Sequence, residues 1–126
     1  MKRLLPYLAL AVLLFFGYRL AFGGGERQSS GTVAEAIADG ATVIDVRTDG
    51  EWAQGHVAGA MHVPVGADDF EQRVDGLDRS APVYVYCASG VRSGRAARVL
   101  EGMGFEHVVN AGGFSRLEAA GAPVER

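Results

Sequence analysis

The sequence predicts an α/β domain, a parallel sheet covered by helices on both faces. Three observations carry that reading. Short β-branched or aromatic runs alternate with helical stretches from residue 32 to the end of the chain. Pro82-Val-Tyr-Val-Tyr86 carries no charge at any position, as a strand buried on both faces requires. The helical stretches stop at glycines such as Gly40 and Gly104, and a strand follows each.

The chain of 126 residues opens with Lys2 and Arg3, then an apolar run from Leu4 to Tyr18 that Arg19 interrupts. This pattern reads as a secretory signal or as a retained anchor. A spanning helix needs roughly 20 apolar residues. Leu4–Tyr18 supplies 15, and residues 4–22 supply 19 if Arg19 snorkels to the interface. Ala21-Phe22-Gly23 is a poor cleavage site, which favours the anchor. In either case the basic end stays inside and the remainder is exported, to a periplasmic or other extracytoplasmic location. The expected organisation is therefore 1–23 signal peptide or membrane anchor, 24–31 polar linker, and 32–126 one folded domain.

Within that domain Thr32–Gly40 reads as a short helix, with Ser30 or Thr32 as cap and a capping box between Thr32 and Glu35. Ala41–Val46 is a buried strand and Thr48-Asp49-Gly50 a turn. Glu51–Gln54 reads as one helical turn. Ala60–Val63 is a short strand stopped by Pro64, Asp68–Val74 is helical, and 76–81 is a loop. After the strand at 82–86, Ser93–Met103 forms a helix with Ala96, Ala97, Val99 and Leu100 on its apolar face. His107–Val109 is a last strand and Gly113–Ala120 a last helix.

From residue 31 onward the chain holds eight Arg, no Lys and fourteen acids, a formal charge near −6 that argues against a nucleic-acid partner. No Cys/His cluster has metal spacing, so no metal or other cofactor is expected. Cys87 is the only cysteine, which rules out an internal disulfide and leaves a buried filler or a reactive thiol. Its position favours the reactive thiol. It stands where a buried strand ends and a helix begins, the edge at which parallel sheets bind ligands. The loop Cys87-Ala88-Ser89-Gly90-Val91-Arg92 then has to curl, and Gly90 permits the curl. Successive N–H groups in such a curl form an anion nest. With Ser93 and the helix start behind it, the nest favours thiolate, the attacking form.

Arg92 and Arg95 stand at the start of that helix, where a cation opposes the macrodipole. Arg92 is the candidate to hold a sulfonate or sulfite group. Arg95 reads either way, and Arg98 reads as a solvated surface residue. Trp52 reads as packing, and His62 and His107 as strand residues.

These residues fall into an ordered set. It comprises Asp45-Val-Arg47, Glu51-Trp-Ala-Gln-Gly-His56-Val-Ala-Gly-Ala60, Val63-Pro64, Tyr84-Val-Tyr-Cys-Ala-Ser-Gly-Val-Arg-Ser93, Gly104-Phe105, Gly112-Gly113 and Gly121-Ala-Pro-Val124. In the same order, across nearly all of residues 32–124, it resembles the single-domain rhodanese-like sulfurtransferases, and with its N-terminal segment the small exported members among them. The resemblance implies a five-stranded parallel sheet and a persulfide-forming Cys87. It also implies that Asp45, Arg47, Glu51 and His56 brace the loops around the site. Leu117 stands where that family usually has Trp, a difference of packing. The implied chemistry moves sulfur from a small anionic donor such as thiosulfate, through a Cys87 persulfide, to cyanide or a thiol.

Three rivals remain. A cysteine phosphatase or arsenate reductase on the same fold uses Cys, five residues, then Arg. Here four residues separate Cys87 from Arg92, and Ser93 stands where that pattern wants Arg. A non-catalytic partner-binding module often lacks the cysteine, which this chain keeps. A persulfide relay would need a thiol on a partner.

Overall fold

The computed structural model describes residues 25–126. Among these residues seven strands run in chain order: β1 (Glu26–Arg27), β2 (Thr42–Asp45), β3 (His56–Val57), β4 (Met61–His62), β5 (Val83–Cys87), β6 (Val108–Gly113) and β7 (Val124–Glu125). Five helices lie between them: α1 (Ser30–Ala38), α2 (Asp49–Gln54), α3 (Phe70–Val74), α4 (Val91–Gly102) and α5 (Phe114–Ala119). The main sheet has five strands in the order β1-β6-β5-β2-β4, and every neighbouring pair is parallel. β3 and β7 form a separate antiparallel pair. The α/β class and the five-stranded parallel sheet are thus those expected.

β5 lies at the centre and is buried at all five positions. Strand side chains alternate between faces, and β5 sorts accordingly. Val83, Val85 and Cys87 pack with Ala96, Ala97 and Leu100 of α4, while Tyr84 and Tyr86 pack with Val33 and Ile37 of α1 and Leu117 of α5. The alternation therefore puts the Cys87 side chain on the α4 side, at the C-terminal edge of the sheet. Truncating Val85, which is fully buried, would cost about 2–4 kcal/mol in lost transfer energy and a cavity.

Several local details differ from the sequence reading. The first helix starts at Ser30, because Ser29 is its cap and accepts from the Thr32 N–H at 3.2 Å. The expected Thr32–Glu35 box is replaced by a box between Thr48 and Glu51, which opens α2. Glu26 and Arg27, within the expected linker, form an edge strand beside Val109 and Asn110. α4 begins at Val91, two residues early, because Gly90 adopts φ +96° and its carbonyl accepts from the Gly94 N–H at 3.1 Å. β6 begins one residue later than expected and runs on to Gly113. No helix among the described residues is long and apolar enough to cross a membrane. The segment 4–22, read as signal or anchor, lies outside the described residues.

Candidate active site

Cys87 ends β5 and is fully buried. Three residues, Ala88, Ser89 and Gly90, carry the chain from there into α4. The left-handed conformation of Gly90 makes so short a turn possible, since a side chain there would be strained. The turn aims the Gly90 N–H at Cys87 Sγ, 3.0 Å away. Ser93 Oγ lies 3.4 Å from Sγ, from within the first turn of α4. Burial is the largest single influence on the thiol and raises its pKa. The Ser93 hydroxyl and the N–H groups of Ser93, Ser89 and Gly90 act against it and together prevail, so the thiol titrates below its ordinary value. Ala88 and Val91 point no polar side chain at the sulfur; they shape the loop, and Val91 is 77% exposed at its rim.

A residue that the sequence reading passed over ties this loop down. Asn110 accepts from the Ser93 hydroxyl at 2.7 Å and donates to the Gly90 carbonyl at 3.0 Å. Its carboxamide oxygen also accepts from the Gly112 N–H at 3.1 Å. Register brings it there. Val85 pairs with Asn110 but Tyr86 pairs with Gly112, so Ala111 is an extra residue in β6. Such a bulge bends the strand and re-aims its side chains. The one signal in the sequence was an amide between Val109 and Ala111. A polar group inside an apolar strand has to find partners. Gly113 lets the two segments touch, because a Cβ there would meet the Ala88 carbonyl oxygen at 2.5 Å.

Residues 29–120 match the Rhodanese-like domain family. The chain is a member of the rhodanese family. It is 40% identical over 77 residues to YqhL of Bacillus subtilis (strain 168), an alignment covering 60% of each chain. It is 40% identical over 76 residues to thiosulfate sulfurtransferase PspE of Escherichia coli (strain K12), covering 59% of this chain and 71% of that one. The solution structure of the Rhodanese-like domain from Anabaena sp. Alr3790 superimposes with a TM-score of 0.68 at 30% identity, covering 79% of this chain and 77% of that one.

The remaining sequence-predicted residues of this rhodanese domain lie on α4, at the end of β2, in α2 and in β3. Arg92 is in the first turn of α4, and both terminal nitrogens of its fork face Glu51, Nη1 to Oε1 at 2.7 Å and Nη2 to Oε2 at 2.9 Å. The fork expected to face a sulfonate is thus engaged by a carboxylate 41 residues away. The Arg92 contact is the largest influence and, with the Thr48 contacts, outweighs the opposing effect of burial and draws the Glu51 carboxyl down to about 2. Arg95 and Arg98 are exposed.

Asp45 and Arg47 form a buried ion pair, Nη2 to Oδ2 at 2.7 Å. Arg47 also donates to the Gly55 carbonyl, and the Tyr86 hydroxyl donates to Asp45 Oδ2 at 2.7 Å. Burial, followed by that bond to Asp45, raises the Tyr86 pKa. The Val57 N–H donates to the Tyr86 oxygen at 2.9 Å, which fastens β3 to β5. His56 stacks on Trp52 with ring centroids 3.5 Å apart, and its Nε2 lies 3.2 Å from Glu125 Oε2. It belongs to the corner formed by α2, β3 and β7, where Trp52 and Glu125 lie. His62 stacks on the same Trp52, and its Nε2 lies 2.9 Å from the Arg47 carbonyl oxygen. His107 lies just before β6. Among the described residues no group of three or more His, Cys, Asp or Glu side chains could hold a metal ion.

Proposed function

We propose that this chain is a thiosulfate sulfurtransferase that carries sulfur as a persulfide on Cys87. The observation that carries the reading is the convergence on one sulfur atom of N–H and O–H donors that favour its thiolate. The Cys87 thiolate attacks the outer sulfur of thiosulfate and the Sγ–S bond forms. The S–S bond of the donor breaks, and sulfite leaves with the electron pair. The terminal sulfur of the persulfide inherits the negative charge and the same donors. A second nucleophile, a thiol or cyanide, then takes that sulfur and returns Cys87 as thiolate. The name of the relative PspE supports thiosulfate as donor.

Intact mass after incubation with thiosulfate tests the first step. The protein should gain one sulfur atom, the gain should vanish on addition of cyanide, and Cys87→Ser should show neither gain nor transfer. Transfer retained in Cys87→Ser would remove the cysteine from the mechanism. The reading includes export, supported by Lys2 and Arg3 ahead of the apolar run. Alkaline phosphatase fused after Arg126 should then be active in intact cells, and an inactive fusion would place the domain inside.

A further inference from the structure

The start of α4 brings a cation to the cysteine loop, and a carboxylate already holds it. In sequence Arg92 stands between Gly90, whose N–H meets Cys87 Sγ at 3.0 Å, and Ser93, whose Oγ lies 3.4 Å from it. The Glu51 bond is the largest influence on the Arg92 guanidinium and raises its pKa against burial, and the charges of Glu51, Cys87 and Asp45 act with it. The guanidinium thus stands within electrostatic range of the sulfur. Arg95 and Arg98 lie farther along α4 and are exposed, while Arg47 is engaged by buried Asp45. Glu51 has supports of its own. Its Oε1 accepts from the Thr48 N–H at 3.2 Å and from the Thr48 hydroxyl at 3.0 Å, so the cap of α2 fixes the carboxylate independently of Arg92. The two side chains are 35% and 32% exposed, which leaves the pair open to the solvent from which a donor arrives.

We infer that Glu51 selects the sulfur donor by charge: by occupying the Arg92 fork it sets the site against the second charge of thiosulfate, so that sulfane donors with one negative charge gain relative to it. The inference rests on the sulfurtransferase reading above and names the donor class of that site. A bidentate guanidinium–carboxylate pair uses the best-directed donors of the fork. An incoming anion therefore meets a pair of net charge zero. If it takes the place of Glu51 on the fork, the carboxylate stays beside it, held by Thr48. Repulsion is proportional to the charge of the donor, so a dianion suffers twice what a monoanion does. The Glu51 carboxyl, drawn down to about 2, keeps its charge at neutral pH. The rest of the domain supplies no compensating field, with fourteen acids against eight arginines from residue 31 onward. Glu51 takes no part in bond making. It acts through Arg92, as a specificity-determining residue.

Thiosulfate and methanethiosulfonate test this, because each carries its outer sulfur on a sulfonyl group and the two differ by one charge. With either donor the Cys87 thiolate attacks the outer sulfur and the S–S bond of the donor breaks. Sulfite or methanesulfinate leaves with the electron pair. Loading of the full chain is followed by intact mass as one added sulfur, and each rate is divided by the rate of alkylation by neutral iodoacetamide. Glu51→Gln keeps the shape of the side chain and an oxygen for Thr48, and it releases the fork. It should speed loading by thiosulfate about tenfold and by methanethiosulfonate about threefold, since the gain scales with donor charge. Adding Arg92→Gln should abolish both gains, and raising the ionic strength should shrink them. Equal effects on the two donors, or a ratio that moves toward methanethiosulfonate, would overturn the proposal, because a merely structural role moves both alike. So would a gain kept in the double variant. A wild type that takes sulfur from neither donor overturns the sulfurtransferase reading itself, whereas uptake with an unchanged ratio in Glu51→Gln overturns only the role of Glu51.

Discussion

Ser93→Ala isolates the side chain that does most to favour the Cys87 thiolate. In the thiol state Cys87 S–H donates to Ser93 Oγ, 3.4 Å away, while the Ser93 hydroxyl donates to Asn110 Oδ1 at 2.7 Å. In the thiolate state the hydroxyl turns to the sulfur, and Asn110 Oδ1 keeps the Gly112 N–H. The two states differ by the rotation of one hydroxyl hydrogen. Alanine removes that donor and leaves the opposing influence of burial intact, so the Cys87 pKa should rise. A hydrogen bond to a charged group is worth about 1.5–3 kcal/mol. Because the contact to sulfur is long and the N–H donors remain, about 1 kcal/mol is expected, a little under one pH unit. Alkylation by iodoacetamide, followed across pH by intact mass, reads this directly. The midpoint should move up by that amount, and the two proteins should react alike well above both midpoints. Ser89→Ala is the comparison, because Ser89 acts on the sulfur through its backbone N–H. A Ser93→Ala midpoint that stays or falls would refute this account of the thiolate.

Asn110→Leu should lower the same midpoint by a smaller step, because it removes the acceptor that competes with the thiolate for the Ser93 hydroxyl at 2.7 Å. It should also cost about 1–3 kcal/mol in urea unfolding, for buried groups left unpaired; a variant as stable and reactive as wild type would show that the amide does not hold the loop. Glu51→Gln should flatten the acid limb of stability. The carboxyl is lowered in the fold from 4.5 to about 2, so its contribution is present above 4.5 and is lost as pH falls through about 2. Both side chains of the pair are about a third exposed, which reduces the contribution to about 1 kcal/mol. Urea unfolding measured across that window should slope less in Glu51→Gln than in wild type, and parallel slopes would show that Arg92 does not depend on the charge.

The central strand and the place of Cys87 at its end were legible because their signals are local. Five buried positions in a row mark β5, and a Cys followed three residues later by Gly marks the turn beyond it. What escaped was either too short or too distant. β1, β3 and β7 have two residues each, and two residues carry no period. The partner of Arg92 is 41 residues away, and the Asn110 amide reaches its two loop partners from 17 and 20 residues away. The start of α4 was placed two residues late because a left-handed Gly90 closes the turn faster than six residues of loop would. Arg92 thus falls within the first turn of α4, where Glu51 reaches it.

That early helix start bears on the choice between sulfur and a tetrahedral oxyanion. A cradle for phosphate or arsenate needs donors directed into an open space above the nucleophile, with a cation free to meet the charge. Here the Gly90 N–H is spent on Sγ itself at 3.0 Å, and the fork of Arg92 is spent on Glu51. The loop also has little room to widen. Asn110 pins the Gly90 carbonyl, and Gly113 packs so close to Ala88 that even a Cβ would meet its carbonyl oxygen at 2.5 Å. Such a loop stabilises charge on the atom bonded to Cys87 or on the next atom out, and it does so with backbone dipoles fixed before any substrate arrives. A persulfide places its charge on that next atom. A phosphoryl group spreads charge over oxygens farther from Sγ, beyond the reach of donors already bonded to sulfur. The short turn thus favours the chemistry whose charge stays within one bond of Cys87.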